Sequence, residues 1–490
     1  MKKENLNDAM NFLDPSLIEE AAPGKRRKTG QRTWVRVLAI AATLAMLLAA
    51  VPISLLIAKR EQAEFSFPDN EKPGLLEENG TYPIVEVNDY VSVPQSLVSH
   101  LNNAVFVSNR EQGSVSEPMR ESLAELSLAL LRACRAKNGE DTLISPLSIQ
   151  TALAMAANGA QGETLAQMLR LLAPGMTQEE LNQQFFNLYA GLRSGEGAKL
   201  EASNSIWANR DGFSVSNGFL DVMNNTFQAD IFSADFSDAE RIASEINRWC
   251  EERTDGMIPE IIKPEDVDVD LMMVLLNALC FDAAWSQPFT KVTLPGTFHT
   301  SAGDREITMM TGDADEYLQD EQAIGFIKHY KGNYGFMAIL PNKGVSLGSY
   351  LASLDGAGFR KLFDSRKDEN VIATMPIFEN DCCMELNDIL SAMGMRNAFD
   401  PFAADFTRLG TVTKPDGGKV CISRVLHKTH IEVNEAGTRA AAVTEVDIYC
   451  GTVMTTPINV YLNRPFLYAI VDMTTGTPLF LGTCENPQIS

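Results

Sequence analysis

The chain has 490 residues and a formal net charge of −23. This length is enough to bury a large core and to hold more than one domain. The strong negative charge argues against nucleic acid as the main partner, because binding to phosphates requires a basic surface.

The N-terminal region predicts a membrane anchor. Residues 37–58 are apolar and uncharged, and about 20 such residues are enough to cross a bilayer as a helix. Residues 1–36 carry a basic cluster, which predicts that this tail stays in the cytoplasm and that the rest of the chain is exported. A cleaved signal peptide is the rival interpretation, but Lys59 and Arg60 follow the apolar run instead of a small-residue cleavage site. We therefore expect a single-pass protein of the cell membrane, which would be secreted if the anchor were cleaved.

The region that follows the anchor has a different composition. Residues 59–117 are richer in Pro, Asn, Glu and Ser and show no sustained period, which predicts an extracytoplasmic stalk. Regular patterns begin near Glu117 and continue to the C-terminus, so residues 118–490 are predicted to form the folded domain.

Within this domain, apolar spacing predicts a series of helices and strands. A helix is expected in residues 123–131, and a second runs from Ser148 to near Gly159, with Ser145 and Pro146 suited to its start. A further helix is expected within residues 246–258. Strands are expected at residues 204–207 and 272–281, as a meander over residues 326–340, and in a segment that begins at Met375. The run 272–281 is almost continuously apolar, as in a strand buried on both faces, and Asn277 within it would need hydrogen-bond partners.

Residues 432–463 combine two conflicting patterns. From residue 438 to 448 every second residue is small or apolar, whereas Arg439, Glu445 and Asp447 lie on the opposite phase of the alternation. The initial Gly437 and the run of alanines would make a poor permanent strand. The segment is therefore predicted to be an exposed loop in one state and a strand in another.

This segment resembles the hinge and reactive loop of the serpins, the serine protease inhibitor family. The run SPLSIQTALAMAANGAQGETLAQML at residues 145–169 resembles the helix beneath the main serpin sheet, and residues 463–487 resemble the family's C-terminal strands. The resemblance extends in order over about 370 residues, which chance similarity in one motif would not produce. It implies an α+β serpin fold, with a large mixed central sheet, further sheets, surrounding helices and an exposed reactive loop.

The resemblance also implies an activity. A target serine protease would cleave the loop and form an acyl-enzyme, and the freed hinge would insert into the main sheet as a new strand. The matched hinge residues are Glu435, Gly437, Thr438, Ala440, Ala441, Ala442 and Val443. Arg439 stands where the family usually has an acidic residue. The alternative within the family is a serpin-fold binding or structural module that does not inhibit.

The position of the reactive bond depends on the direction of counting. Counted from Gly437 it lies between Gly451 and Thr452, and counted back from Asn463 it moves toward Met454. Neither position offers Lys or Arg, so a trypsin-like target is not expected. Small residues suit elastase-like or subtilisin-like proteases, and Tyr449 or Met454 would suit a chymotrypsin-like one. The protein is expected to act as a monomer.

Four polar residues match the serpin shutter, a hydrogen-bonded cluster beneath the centre of the main sheet that governs whether two strands part. They are Ser145, Ser148, Asn277 and His427. The plainer interpretation is a satisfied buried polar network with no switching role.

No set of enzyme residues stands out in the sequence. A Walker-type phosphate loop and a His-Glu-x-x-His zinc motif are both missing. Pairing Cys450 with His427 as a cysteine protease is rejected, because the loop supplies no rigid helix N-terminus. His427 and His430 are expected on opposite faces of one strand, so no metal site and no cofactor are predicted. Four of the eight cysteines are predicted to be buried thiols: Cys250, Cys280, Cys382 and Cys484.

Overall fold

The computed structural model describes residues 98–100, 112–139, 141–192, 197–211, 213–268, 271, 273–413, 419–438 and 456–488. All of them belong to one compact unit, Ser92–Ser490. The predicted tail 1–36, the predicted anchor 37–58 and residues 439–455 of the loop lie outside the described residues. None of the described helices is both long and apolar enough to span a bilayer.

The described elements alternate between helices and strands along the chain. The helices are α1 (Glu117–Asn138), α2 (Pro146–Gly159), α3 (Gly162–Leu172), α4 (Gln178–Gly191), α5 (Asn217–Val222), α6 (Ala239–Arg253), α7 (Leu347–Ser353), α8 (Gly356–Asp364) and α9 (Asn387–Ala392), with shorter helical turns at Met223–Phe227, Pro264–Asp266 and Asn397–Phe399. The strands are β1 (Val98–His100), β2 (Leu143–Ile144), β3 (Ala198–Asn209), β4 (Phe213–Val215), β5 (Asp230–Ala234), β6 (Met273–Ala284), β7 (Lys291–Thr300), β8 (Gly303–Ala314), β9 (Glu316–Gln319), β10 (Ala323–His329), β11 (Tyr334–Pro341), β12 (Val371–Pro376), β13 (Phe378–Glu385), β14 (Gly410–Val412), β15 (Leu426–Val433), β16 (Gly437–Thr438), β17 (Ile458–Tyr461), β18 (Phe466–Asp472) and β19 (Pro478–Cys484).

These strands form four sheets. The largest has seven strands in the order β1-β5-β3-β6-β16-β15-β13, and it is called the main sheet below. It is mixed, because β3 and β5 run parallel while the other neighbours are antiparallel. A six-stranded sheet has the order β2-β19-β18-β11-β10-β9, and smaller sheets contain β17-β12-β8-β7 and β14-β4.

Most elements expected from the sequence are present, with longer bounds. The helix predicted at residues 123–131 is the centre of α1, and the apolar run 272–281 forms most of β6. The residues around Met375 divide between two strands, because β12 ends at Pro376 and β13 begins at Phe378. Part of the stretch predicted as a stalk contributes β1, which pairs with β5 at the edge of the main sheet.

Helix α2 positions the polar cluster that the sequence singled out. Ser145 caps it, since its hydroxyl accepts a hydrogen bond from the Ser148 N–H at 3.3 Å, and Pro146 occupies the first turn, where a missing N–H costs nothing. Nearly every residue of α2 is buried, as befits a helix enclosed by other elements. The start of this helix, and with it both serines, is therefore fixed in the core.

Candidate functional site

Two residues of the matched hinge already form a strand in the main sheet. Gly437 and Thr438 make up β16, which lies between β6 and β15. Thr438 pairs with Ala283 of β6 and with Val433 of β15, antiparallel in both cases. The hinge therefore begins inside the sheet, and residues 440–443, the rest of the matched hinge, lie outside the described residues.

Thr438 is anchored at this position by an aromatic cluster. Its side chain is 1% exposed, and its hydroxyl shares a hydrogen bond with the Tyr330 hydroxyl. The Tyr330 ring stacks on Trp285 at a centroid distance of 4.3 Å and meets Phe281 edge-on at 5.0 Å. Burial raises the pKa of Tyr330, so the phenol stays protonated and available to this hydrogen bond.

The turn that leads into β16 is held by hydrogen bonds to its backbone groups. The Asn434 side-chain oxygen accepts from the N–H groups of Ala436 at 3.0 Å and Gly437 at 3.2 Å. Trp285 binds the same turn at two points. Its indole N–H donates to the Asn434 carbonyl, and its backbone N–H donates to the Ala436 carbonyl, both at 2.9 Å. The Phe289 N–H donates to the Glu435 carbonyl at 3.0 Å. Glu435 is thus placed by its backbone at the entrance of the hinge.

The four matched shutter residues form one chain of hydrogen bonds from β15 to β6. The Ser145 N–H donates to Nε2 of His427 at 3.0 Å, and its hydroxyl donates to the Leu479 carbonyl at 2.8 Å. The Ser148 hydroxyl donates to the backbone carbonyl of Asn277 at 3.3 Å. The start of α2 therefore bridges the two strands that flank β16.

His427 is neutral in this arrangement. It faces the core, whereas His430 lies on the other face of β15, as their spacing predicted. Burial lowers the pKa of His427 to about 4, because a charged imidazole would be desolvated there. Since Nε2 accepts the hydrogen bond from Ser145, the ring proton belongs on Nδ1.

The two polar groups of the Asn277 side chain differ in whether a hydrogen bond satisfies them. Its amide nitrogen donates to Oδ1 of Asn204 on β3. Its own Oδ1 is buried and has no hydrogen-bond partner among the described residues. A buried unpaired carbonyl of this kind costs about 1–3 kcal/mol, so the cluster is not fully satisfied.

Several of these contacts could not be anticipated from the sequence pattern. Asn434 precedes a turn and has the chemistry of an Asx turn, which is a usable signal. Tyr330 follows β10 and Asn204 lies in β3, both far along the chain from the residues they contact, so only the fold identifies them. The four cysteines expected to be buried are buried. Gly451 and Thr452, the predicted reactive bond, lie outside the described residues.

Comparison with known proteins agrees with this architecture. Residues 121–487 match the family model described as serpin (serine protease inhibitor). An uncharacterised serpin-like protein of Thermococcus kodakarensis is 31% identical over 361 residues, covering 72% of this chain and 82% of the relative. An alpha-1-antitrypsin homolog of Cyprinus carpio is 33% identical over 353 residues, covering 71% and 91%.

A solved structure supports the same assignment. The crystal structure of the thermophilic serpin tengpin in its native state aligns with a TM-score of 0.74 and 36% identity, covering 80% of this chain and all of tengpin. The predicted serpin fold is therefore confirmed, and the family is the one described as serine protease inhibitors, not a family of enzymes. The chain belongs to the serpin family.

Proposed function

We propose that the protein inhibits serine endopeptidases as a suicide substrate, by cleavage of its reactive loop and insertion of the loop into the main sheet. The observation that carries this proposal is the position of Gly437 and Thr438, already paired between β6 and β15. Insertion would extend an existing strand, so the costly first contacts are in place before cleavage. Each further residue adds hydrogen bonds on both sides.

The register of β16 supports a productive insertion. If the pairing of Thr438 with Ala283 and Val433 continues, residue 444 comes opposite Asn277 and His427. Residues 440, 442, 444, 446 and 448 share the buried phase of Thr438, and all of them are small or apolar. Arg439, Glu445 and Asp447 fall on the outward phase, so no charge would have to enter the core.

The shutter residues are the proposed gate. Asn277 on β6 and His427 on β15 each lie six residues beyond the partner of Thr438, about 20 Å along the strands. Ser145 and Ser148 connect these two points through the start of α2. An inserting strand must pass between them, so their hydrogen bonds would set part of the barrier to opening.

The cleavage that starts the process is proposed at Gly451–Thr452. Residues 438–451 would span about 45 Å when extended at about 3.3 Å per residue, which would carry an attached protease far from its starting point. Loop insertion drives the process because the uncleaved fold is metastable. The small residues at the reactive bond favour an elastase-like or subtilisin-like target, and Tyr449 or Met454 a chymotrypsin-like one.

The anchor adds a location to this activity. With residues 1–36 in the cytoplasm and residues 37–58 across the bilayer, the serpin domain would stand on the outer side, where it would meet secreted proteases. Fractionation of cells tests this part independently: the full chain should sediment with membranes and resist extraction by salt, and release by salt alone would refute the anchor.

Incubation with elastase, subtilisin, chymotrypsin and trypsin, followed by a denaturing gel, tests inhibition. We expect a covalent band with one of the first three and none with trypsin. Mass spectrometry of the released C-terminal fragment then locates the reactive bond. Clean cleavage without a covalent band, under conditions where the protease stays active, would refute inhibition and support the non-inhibitory alternative.

A further inference from the structure

Three potential ligand side chains converge on the outer face of the main sheet. They are Glu379 and Asp381 of β13 and His430 of β15, and their ligand atoms lie within 4.8 Å of one another. Nδ1 of His430 is 2.8 Å from Oδ1 of Asp381 and 3.8 Å from Oε1 of Glu379. The distances are short enough for one ion to contact all three.

The strands themselves bring these groups together. Residues 379 and 381 project from the same face of β13, because side chains alternate along a strand. The register pairs Asp381 directly with His430, inside a ladder of eight residue pairs from Phe378–Val433 to Glu385–Leu426. The Glu379 N–H also donates to the Gln488 carbonyl at 3.0 Å, which fixes the outer edge of β13. A site on such a ladder is more precisely positioned than one on a loop.

The charges around this site favour a cation over a simple ion pair. Both carboxylates approach the same imidazole nitrogen, and one imidazolium could neutralise only one of them. Within the described part of the chain, neither Glu379 nor Asp381 forms an ion pair with Lys or Arg. The ladder also sets Glu432 opposite Glu379, and like charges directly opposite one another destabilise a sheet.

We propose that Glu379, Asp381 and His430 bind a divalent transition-metal ion such as Zn²⁺. One imidazole nitrogen and two carboxylates are donors that Zn²⁺ accepts, and three protein ligands leave a fourth position for water. The site involves β13 and β15 but no residue of the hinge, so a test of metal binding is independent of any test of protease inhibition.

The sequence places His430 near His427 alone among possible ligands and gives no sign of this set. The two carboxylates precede His430 by 51 and 49 residues, and no ligand spacing in the sequence connects them. They are brought together by the antiparallel register, which a sequence pattern does not specify.

Calorimetric titration of the full chain in detergent with Zn²⁺, and absorption spectra with Co²⁺ as a substitute, test the proposal. We expect one Zn²⁺ per chain and Co²⁺ d–d bands in the visible range. His430→Gln and Asp381→Asn should each weaken Zn²⁺ binding by more than about tenfold, since even outer-shell partners of metal ligands contribute at least that much.

The matched control is His299→Gln. Nδ1 of His299 lies 2.7 Å from Oδ1 of Asp304, but no third ligand accompanies this pair among the described residues. This variant should bind Zn²⁺ as the parent does. Equal binding by His430→Gln, or no binding by the parent up to about 1 mM Zn²⁺, would refute the site. Unchanged melting temperatures without metal will show that the variants remain folded.

Discussion

Replacement of Thr438 by arginine is the most direct perturbation of the proposed mechanism. Thr438 is 1% exposed, and it lies where insertion must begin. Arginine at this position would place a guanidinium against Tyr330 and the aromatic rings around it. We expect the protease to cleave Thr438→Arg as an ordinary substrate, without the covalent trapping that is proposed for the parent.

The size of the effect follows from two contributions. Loss of the hydrogen bond leaves the buried Tyr330 hydroxyl unsatisfied, which costs about 1–3 kcal/mol. Burying a charge without a partner costs about 3–5 kcal/mol more. The hinge would therefore leave its position between β6 and β15 rather than bury the guanidinium. An increase of about 3 kcal/mol in the activation free energy of insertion slows insertion by on the order of a hundredfold. Hydrolysis of the acyl-enzyme would then be faster than insertion.

Thr438→Ser is the matched control, because it keeps the hydroxyl and adds no volume. Parent, Thr438→Ser and Thr438→Arg are incubated with the same protease, and the covalent and cleaved bands are quantified over time. The melting temperature of each cleaved form reports insertion separately, and only Thr438→Arg should show no rise on cleavage. A covalent band in Thr438→Arg as strong as in Thr438→Ser would refute this role of the hinge.

Three further predictions address the cluster, the hinge contact and the charge pattern. Burial lowers the pKa of His427 to about 4, whereas a histidine in an unfolded chain has a pKa of about 6.5, so the unfolded state binds more protons between these two pH values. The free energy of unfolding should therefore fall by roughly 3 kcal/mol as the pH drops from about 6.5 to 4. His427→Gln should flatten this pH dependence in urea unfolding, and an unchanged slope would contradict the assignment. Tyr330→Phe removes the hydrogen bond to Thr438, and loss of about 1.4 kcal/mol should raise hydrogen exchange of the Thr438 amide about tenfold, whereas an unchanged rate would show that the contact does not hold the hinge. Arg439→Glu would set a carboxylate between Glu432 and Asp282 in the extended register and, at about 1 kcal/mol for each like-charge pair, slow insertion by at most about thirtyfold. Glu432→Lys in the same chain should recover part of the rate at which the covalent band forms, and an unchanged rate would refute the register.

The parts of the fold that the sequence predicts best are those with strong local patterns. The apolar run of β6 and the capped start of α2 can be recognised from residues 272–281 and from Ser145 with Pro146. The need of Asn277 for a partner also followed from its apolar surroundings, and the structure supplies Asn204. Local periodicity and capping chemistry determine these features, so a sequence contains them directly.

Features that depend on the pairing of distant segments could not be predicted in this way. The indole of Trp285 holds the turn at Asn434 across 149 residues, and it does so through a backbone carbonyl that every residue possesses. Likewise, the segment divides at Pro376 because β12 belongs to the four-stranded sheet and β13 to the main sheet. Tertiary register determines such contacts, and the alternation of side chains constrains it only to one phase or the other.

The unpaired oxygen of Asn277 connects the hinge to the shutter. It is buried without a hydrogen-bond partner in the described structure, so the uncleaved fold carries a cost of about 1–3 kcal/mol at this point. If the register of β16 continued on insertion, Thr444 would come to the same level of the sheet and on the buried phase. A threonine hydroxyl can donate a hydrogen bond there, whereas the flanking Val443 cannot, so insertion would satisfy a group that the uncleaved protein leaves unsatisfied. The inserted form would then gain more than strand pairing, because it would also pair the oxygen of Asn277 where the new strand would run between β6 and β15.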